Sequence, residues 1–175
     1  RSAELLGFSG PMNNAMDAVA CRDHLIEVTA ACTIAMVHLS RIAEELVMWS
    51  SREFGWVRLS DAWSTGSSIM PQKRNPDAPE LVRGKSGRVV GDLSALITMC
   101  KGLPMAYNRD LQEDREALFD ALHTTIACVS VTAGCFESLT VQGGPDLTGD
   151  FSLTTELADF LAGKGVPFRE AHHVA

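Results

Sequence analysis

The stretch DAVACRDHLIEVTAACTIAMVHLSRIAEELVMWSSR, residues 17–52, contains neither proline nor glycine. Its apolar positions Leu25, Val28, Cys32, Ala35, Leu39, Ile42, Leu46 and Trp49 recur at three- and four-residue spacing, the period of one helix face. That spacing predicts a single long helix, apolar on more than one side, running about 50 Å. Such a helix needs partners on several faces, so it belongs in a bundle interior or an oligomer core.

The flanking sequence breaks this pattern before helical character returns. Residues 1–14 are loop-like, with Gly7, Gly10, Pro11 and the pair Asn13–Asn14. Residues 55–76 are polar and turn-rich, and a loop that long is a functional or mobile segment. A helix is predicted over 78–101, with Asp77 and Glu80 at capping-box spacing and Pro79 in the first turn. Gly84, Gly87 and Gly91 each weaken that helix by about 1 kcal/mol relative to alanine, which predicts close backbone packing there. Gly102 and Pro104 end it. After a polar loop at 107–110, another long helix is predicted from about 115 to 141. Gly143-Gly144-Pro145 is the clearest linker, so the division falls at 1–147 and 148–175. The second part holds a short helix over about 153–162 and a further one after Pro167. No segment has strand period and none repeats. The fold class is all-α, a long-helix bundle.

Composition narrows the function. The chain has 175 residues, 15 Lys+Arg against 22 Asp+Glu, a net charge of −7, and 46% hydrophobic residues. That apolar fraction excludes low-complexity disorder, and the acidic balance argues against nucleic acid or an anionic membrane as the main partner. No run approaches the roughly 20 uninterrupted apolar residues of a membrane span. Cys21, Cys32, Cys100, Cys128 and Cys135 show neither CxxC nor a Cys/His metal pattern. They read as reduced core thiols of a cytoplasmic protein without a metal site. Cys128 and Cys135, two turns apart, suit one packed helix face.

The most informative loop runs Thr65-Gly66-Ser67-Ser68-Ile69-Met70-Pro71-Gln72-Lys73-Arg74-Asn75-Pro76-Asp77. Its small residues leave backbone N–H groups free to form an anion-holding nest, and Lys73 and Arg74 add positive charge. Two serines, a lysine and an asparagine are suited to gripping a carboxylate, or to holding one hydroxyl in an electropositive pocket. A solvated Ser/Gly turn fits the composition equally well.

Gly66-Ser67-Ser68-x-Met70-Pro71-x-Lys73-x-Asn75-Pro76 resembles the signature of the fumarase/aspartase superfamily, homotetrameric lyases that release fumarate by β-elimination. Gln72, followed by Lys73-Arg74-Asn75-Pro76-Asp77, is similar to the argininosuccinate lyase branch. So are Arg83-x-Lys85-x-Gly87-Arg88-Val89, the segment from Lys101 to Asp114, Asp17-Ala18-Val19-x-x-Arg22-Asp23, and His38-Leu39-Ser40-Arg41-x-Ala43-Glu44-Glu45-Leu46. The resemblance covers essentially the whole chain. It implies cleavage of argininosuccinate to arginine and fumarate, the last step of arginine biosynthesis, with no metal or organic cofactor. Two alternatives stand beside it: another fumarate-releasing lyase such as adenylosuccinate lyase, and a δ-crystallin-like structural homologue.

The resemblance also implies roles. Ser67 takes the Cβ proton, although older family schemes give that task to a histidine and make the serine the donor; Ser68 supports it or holds a substrate carboxylate. A serine hydroxyl is a weak base unless burial, backbone N–H donors and Lys73 activate it. Lys73 and Asn75 bind the fumaryl carboxylates and stabilise the aci-carboxylate. Glu80 has two readings: a helix cap, or the carboxylate that orients a catalytic histidine. Tyr107, Gln112 and Arg115 match substrate-contacting positions, with Arg115 departing from a common lysine and Tyr107 also readable as a packing aromatic. Arg74 reads as a surface or subunit-contact residue. None of His24, His38, His123, His172 and His173 lies in the family's histidine motif; His24 and His38 read as packing residues of the long helix. The sequence reads as a piece lacking the family's N-terminal domain and the end of its C-terminal domain. Family sites are built from three subunits, so this polypeptide alone is expected to be inactive.

Overall fold

The computed structural model describes residues 1–146, 151 and 153–175. These form two compact units, residues 1–142 and 143–175. The expected division between 147 and 148 lies outside the described residues.

In the first unit, two short helices, α1 (Ser2–Leu5) and α2 (Ala15–Ala20), precede three long ones: α3 (Asp23–Trp49), α4 (Asp77–Cys100) and α5 (Asp114–Ser138). The long helices pack on one another and carry the core. Met36 and Ala43 of α3, Val82 and Val89 of α4, and Ala121 and Cys128 of α5 form one buried cluster. Leu46, Leu59 and Cys135 form a second, with Trp63, Ala78, Val131 and Leu139 against it. Thr33 donates to the Val89 carbonyl (3.4 Å) while Glu44 pairs with Arg83, so α3 and α4 run antiparallel. The bundle therefore has two ends. One holds Trp49, Asp77 and Ser138; the other holds Asp23, Cys100 and Asp114.

Burial pushes the thiols of Cys128 and Cys135 above the usual thiol range, which keeps them protonated and inert. All five cysteines are free.

The structure departs from the sequence expectations at several places, beginning with α1, which lies within the stretch expected to be loop. The helix expected over 17–52 is broken at Cys21–Arg22, where Cys21 turns extended (φ −61°, ψ 130°). The cause is tertiary. Arg22 reaches across to Asp114 (2.5 Å) and donates to the carbonyls of Val19 (3.3 Å) and Cys21 (2.9 Å). The capping box at Asp77 and Glu80 does not form: Pro76 is the N-cap of α4 and no side chain caps it. The last helix stops at Ser138, because Thr140–Val141 (β4) pairs antiparallel with Val57–Arg58 (β1). A second two-residue ladder joins Thr65–Gly66 (β2) to Arg74–Asn75 (β3). Strands this short carry no period for a sequence to display. Finally, a Cβ on Gly84, Gly87 or Gly91 would meet nothing within 4 Å, so among the described residues no backbone packs there. His24 and His38 are likewise exposed rather than packed.

Much apolar surface is left bare on the long helices: Ile34 of α3 is 60% exposed, Leu81 of α4 62% and Ile126 of α5 64%. Ala15–Trp49 and Arg109–Ser138 are even long and apolar enough, by length and composition alone, to cross a membrane. The second unit is a helix pair, α6 (Thr154–Gly163) and α7 (Phe168–Val174), packed through Ala158 and Ala171. Gly165, at φ +94°, sits in the turn between them, where a left-handed residue is required.

Candidate active site

The β2–β3 ladder pairs Thr65 with Asn75 and Gly66 with Arg74, which turns residues 67–73 into a hairpin loop at one end of the bundle. Inside it, the Ser67 Oγ accepts from the backbone N–H of Ile69 (3.2 Å) and of Met70 (3.1 Å). Two donors aimed at one hydroxyl oxygen stabilise its negative form, as a candidate base requires. Ser67 is half-buried, whereas Ser68, Lys73 and Glu80 are exposed. The Lys73 N–H donates to the Met70 carbonyl (3.0 Å) and closes the loop.

The base of the loop is fastened by groups that sequence reasoning missed. The Thr65 hydroxyl donates to the Asp77 carboxylate, and the Asn75 amide donates to Thr65 Oγ1 (3.4 Å). Asp77 thus locks the loop rather than capping α4. Arg74, expected at a surface or subunit contact, pairs with Asp61 (3.0 Å). A cavity of about 450 Å³ lies beside this end of the bundle, lined among others by Arg52, Arg58, Arg74 and Asn75. Of the expected site residues it contains Asn75 alone.

Tyr107, Gln112 and Arg115 lie elsewhere. They surround the 3-10 turn Arg109–Glu113 at the other end of the bundle, where α4 finishes and α5 begins. Leu111 and Asp114 point inward and are buried (3% and 6% exposed), which leaves Gln112 and Arg115 outward. Asp114 is held by Arg22. Upstream, Ala106 adopts φ +70°, a left-handed conformation that costs a non-glycine residue about 1 kcal/mol. The Asn108 amide stabilises that turn by donating to the carbonyls of Pro104 (3.0 Å) and Ala106 (3.2 Å).

The 24 residues of α4 separate the two groups by about 36 Å along its axis. The structure therefore unites Ser67 with its donors, and Gln112 with Arg115, but does not bring the two sets together. That separation follows from the length of α4 itself, the helix that the sequence places between the two loops. Among the described residues, no group of three or more His, Cys, Asp or Glu could hold a metal ion.

A second groove, of about 500 Å³, runs between α4 and α5 beside Arg88, Asp92, Glu113, Glu116 and Asp120. Arg88 forks onto the Asp120 carboxylate and holds its pKa below the usual carboxylate range. Burial, and then the charge of Asp120, push Asp92 up to about 6.

Comparison with known proteins identifies the class to which this helical bundle belongs. A family profile described as "Lyase" matches residues 1–91, and one described as "Argininosuccinate lyase C-terminal" matches residues 151–175. The chain belongs to the lyase family, within the fumarase/aspartase superfamily. More particularly, it is 54% identical over 99% of its length to an argininosuccinate lyase of Bacillus cereus, and 53% identical over 99% to one of Bacillus mycoides. Among solved structures, an EDDS lyase in complex with formate matches 98% of the chain with a TM-score of 0.75 and 30% identity, and the match covers 35% of that enzyme. The chain spans 38% of the length of the curated relatives it matches.

Proposed function

We propose that this chain is the catalytic bundle of an argininosuccinate lyase, which cleaves argininosuccinate to arginine and fumarate by β-elimination. The observation that carries this reading is the Ser67 hydroxyl under two backbone N–H donors, in a sequence 54% identical to an argininosuccinate lyase. Ser67 removes the proton from the carbon next to the one that bears the departing nitrogen. The electron pair then flows toward the neighbouring carboxylate, whose added charge Lys73 and Asn75 offset. The C–N bond breaks, fumarate forms, and the guanidino nitrogen leaves as arginine after taking up a proton. Ser68 holds a substrate carboxylate. Tyr107, Gln112 and Arg115 bind substrate. Glu80, which caps nothing in this fold, orients the general acid.

The span of about 36 Å between the Ser67 end and the Gln112 end supports a site shared between copies of the chain. So do the bare faces around Ile34, Leu81 and Ile126, and the open glycine row on α4, where another helix can approach closely. A homotetramer in the cytoplasm, working without metal and without nucleic-acid or membrane partners, is the assembly this reading requires. In it, the apolar stretches of α3 and α5 face other helices.

The test is fumarate release, followed by its ultraviolet absorbance, from the full-length protein given argininosuccinate or adenylosuccinate. Turnover of argininosuccinate alone supports the reading. Turnover of adenylosuccinate instead, or of neither substrate by a folded protein, removes it.

A further inference from the structure

The hairpin loop is not held by its own ladder alone. Two residues before Thr65, the Trp63 ring lies against the backbone of Gly134 on α5. A Cβ built on Gly134 would fall 2.8 Å from Trp63 Cε2 and closer still to Cζ2, separations that no side chain tolerates. Trp63 also packs against the cluster of Leu46, Leu59 and Cys135. Beside it, Ser138 donates to the Gly134 carbonyl (2.7 Å) and its oxygen lies 3.0 Å from that of Ser60, while Ser64 donates to the Ser60 carbonyl (3.0 Å). The Trp63–Gly134 and Ser60–Ser138 contacts tie the chain just before the loop to the last turns of α5.

The two partners are unequal in stiffness. Gly134 sits in a 25-residue helix fixed by buried Cys128, Thr132 and Cys135. Trp63 lies in irregular chain. If the contact is crowded, Trp63 yields, and Ser67, four residues on, is displaced with it. A glycine inside a helix costs about 1 kcal/mol relative to alanine, so its presence calls for a packing reason, and the ring supplies one.

We propose that Trp63, seated on Gly134, is a positioning residue that sets where the loop carrying Ser67 leaves the bundle. The catalytic consequence rests on Ser67 being the base. The positional claim does not, and the test separates the two.

In the full-length protein, Gly134→Ala, Trp63→Ala and the double variant Gly134→Ala/Trp63→Phe are compared with the parent by two readouts. The first is kcat and KM for argininosuccinate. The second is the rate of tryptic cleavage after Lys73 and Arg74 in the native state, which needs no activity. Gly134→Ala and Trp63→Ala are expected to lower kcat by about 10- to 100-fold, with a smaller change in KM, because the base is misplaced rather than the substrate contacts removed. Both should speed loop cleavage. A phenyl ring lacks the outer Cζ2–Cη2 edge of the indole, where the methyl added at position 134 would strike hardest, so the double variant should recover both readouts relative to Gly134→Ala. Unchanged kcat and cleavage in Trp63→Ala would overturn the proposal. So would a double variant that recovers neither, since that marks a merely structural defect in α5. A parent that cleaves no argininosuccinate removes the functional reading, and the tryptic rates still decide the positional one.

Discussion

The two ends of the bundle are built on opposite plans. At the Ser67 end the chain is irregular and is fastened from outside the loop by short backbone ladders, hydroxyls and an aromatic ring on a glycine. At the Gln112 end one ion pair, Arg22 with Asp114, with side chains only 18% and 9% exposed, fixes the turn directly, and the cost is a broken helix and a left-handed Ala106. The first plan fastens the base of the loop and leaves residues 68–73 exposed; the second buries Leu111 and Asp114 beneath an outward pair of side chains. In the proposed roles, a proton-transferring group benefits from closing over its substrate, whereas a substrate-binding pair benefits from being preformed.

The sharpest test of this contrast acts on the Ser67 end. Ser67→Ala in the full-length protein should lower kcat by about three orders of magnitude while leaving the thermal midpoint near that of the parent, as fumarate absorbance and calorimetry would record. A large loss of stability instead would show that the loop is structural. At the rigid end the signs reverse. Asp114→Ala strands a part-buried guanidinium and should cost about 3 kcal/mol in chemical denaturation. If stability is unchanged there, the ion pair does not fix the turn.

Between the ends, the groove at Asp92 gives a smaller effect with a definite sign. Its folded pKa, about 6, lies above the usual carboxylate value, so the folded state holds the proton more tightly. The stability this contributes is present at pH below about 4 and is lost as pH rises through 6. Replacing Asp92 by Asn, which keeps a hydrogen-bond donor toward Asp120, should raise the thermal midpoint by about 2 °C at pH 7.5 and do little at pH 4, with the gain limited by solvent screening. The smallest expected change is at Ala106. Ala106→Gly removes the left-handed penalty but adds freedom to the unfolded chain, for a net gain of about 0.5 kcal/mol in denaturant unfolding.

Much of this was readable in advance. Three long helices follow from their apolar period and from the proline and glycine residues between them, because those signals act within one turn of the chain. The loop could be singled out because its motif, Gly66-Ser67-Ser68-x-Met70-Pro71-x-Lys73-x-Asn75-Pro76, is contiguous in sequence and resembles a family signature. The capping box at Asp77 and Glu80 misled for the same reason: its spacing is local, while the partner that captured Asp77 was Thr65, twelve residues away across a ladder.

The sequence by itself determined the helices, the loop and the family. Helix period, turn residues and motif spacing are properties of neighbours along a chain. Only the tertiary structure decided where α3 begins and what locks the loop. Those outcomes depend on Arg22 meeting Asp114 and on Trp63 meeting Gly134, contacts between residues 92 and 71 positions apart that exist only once the helices have packed.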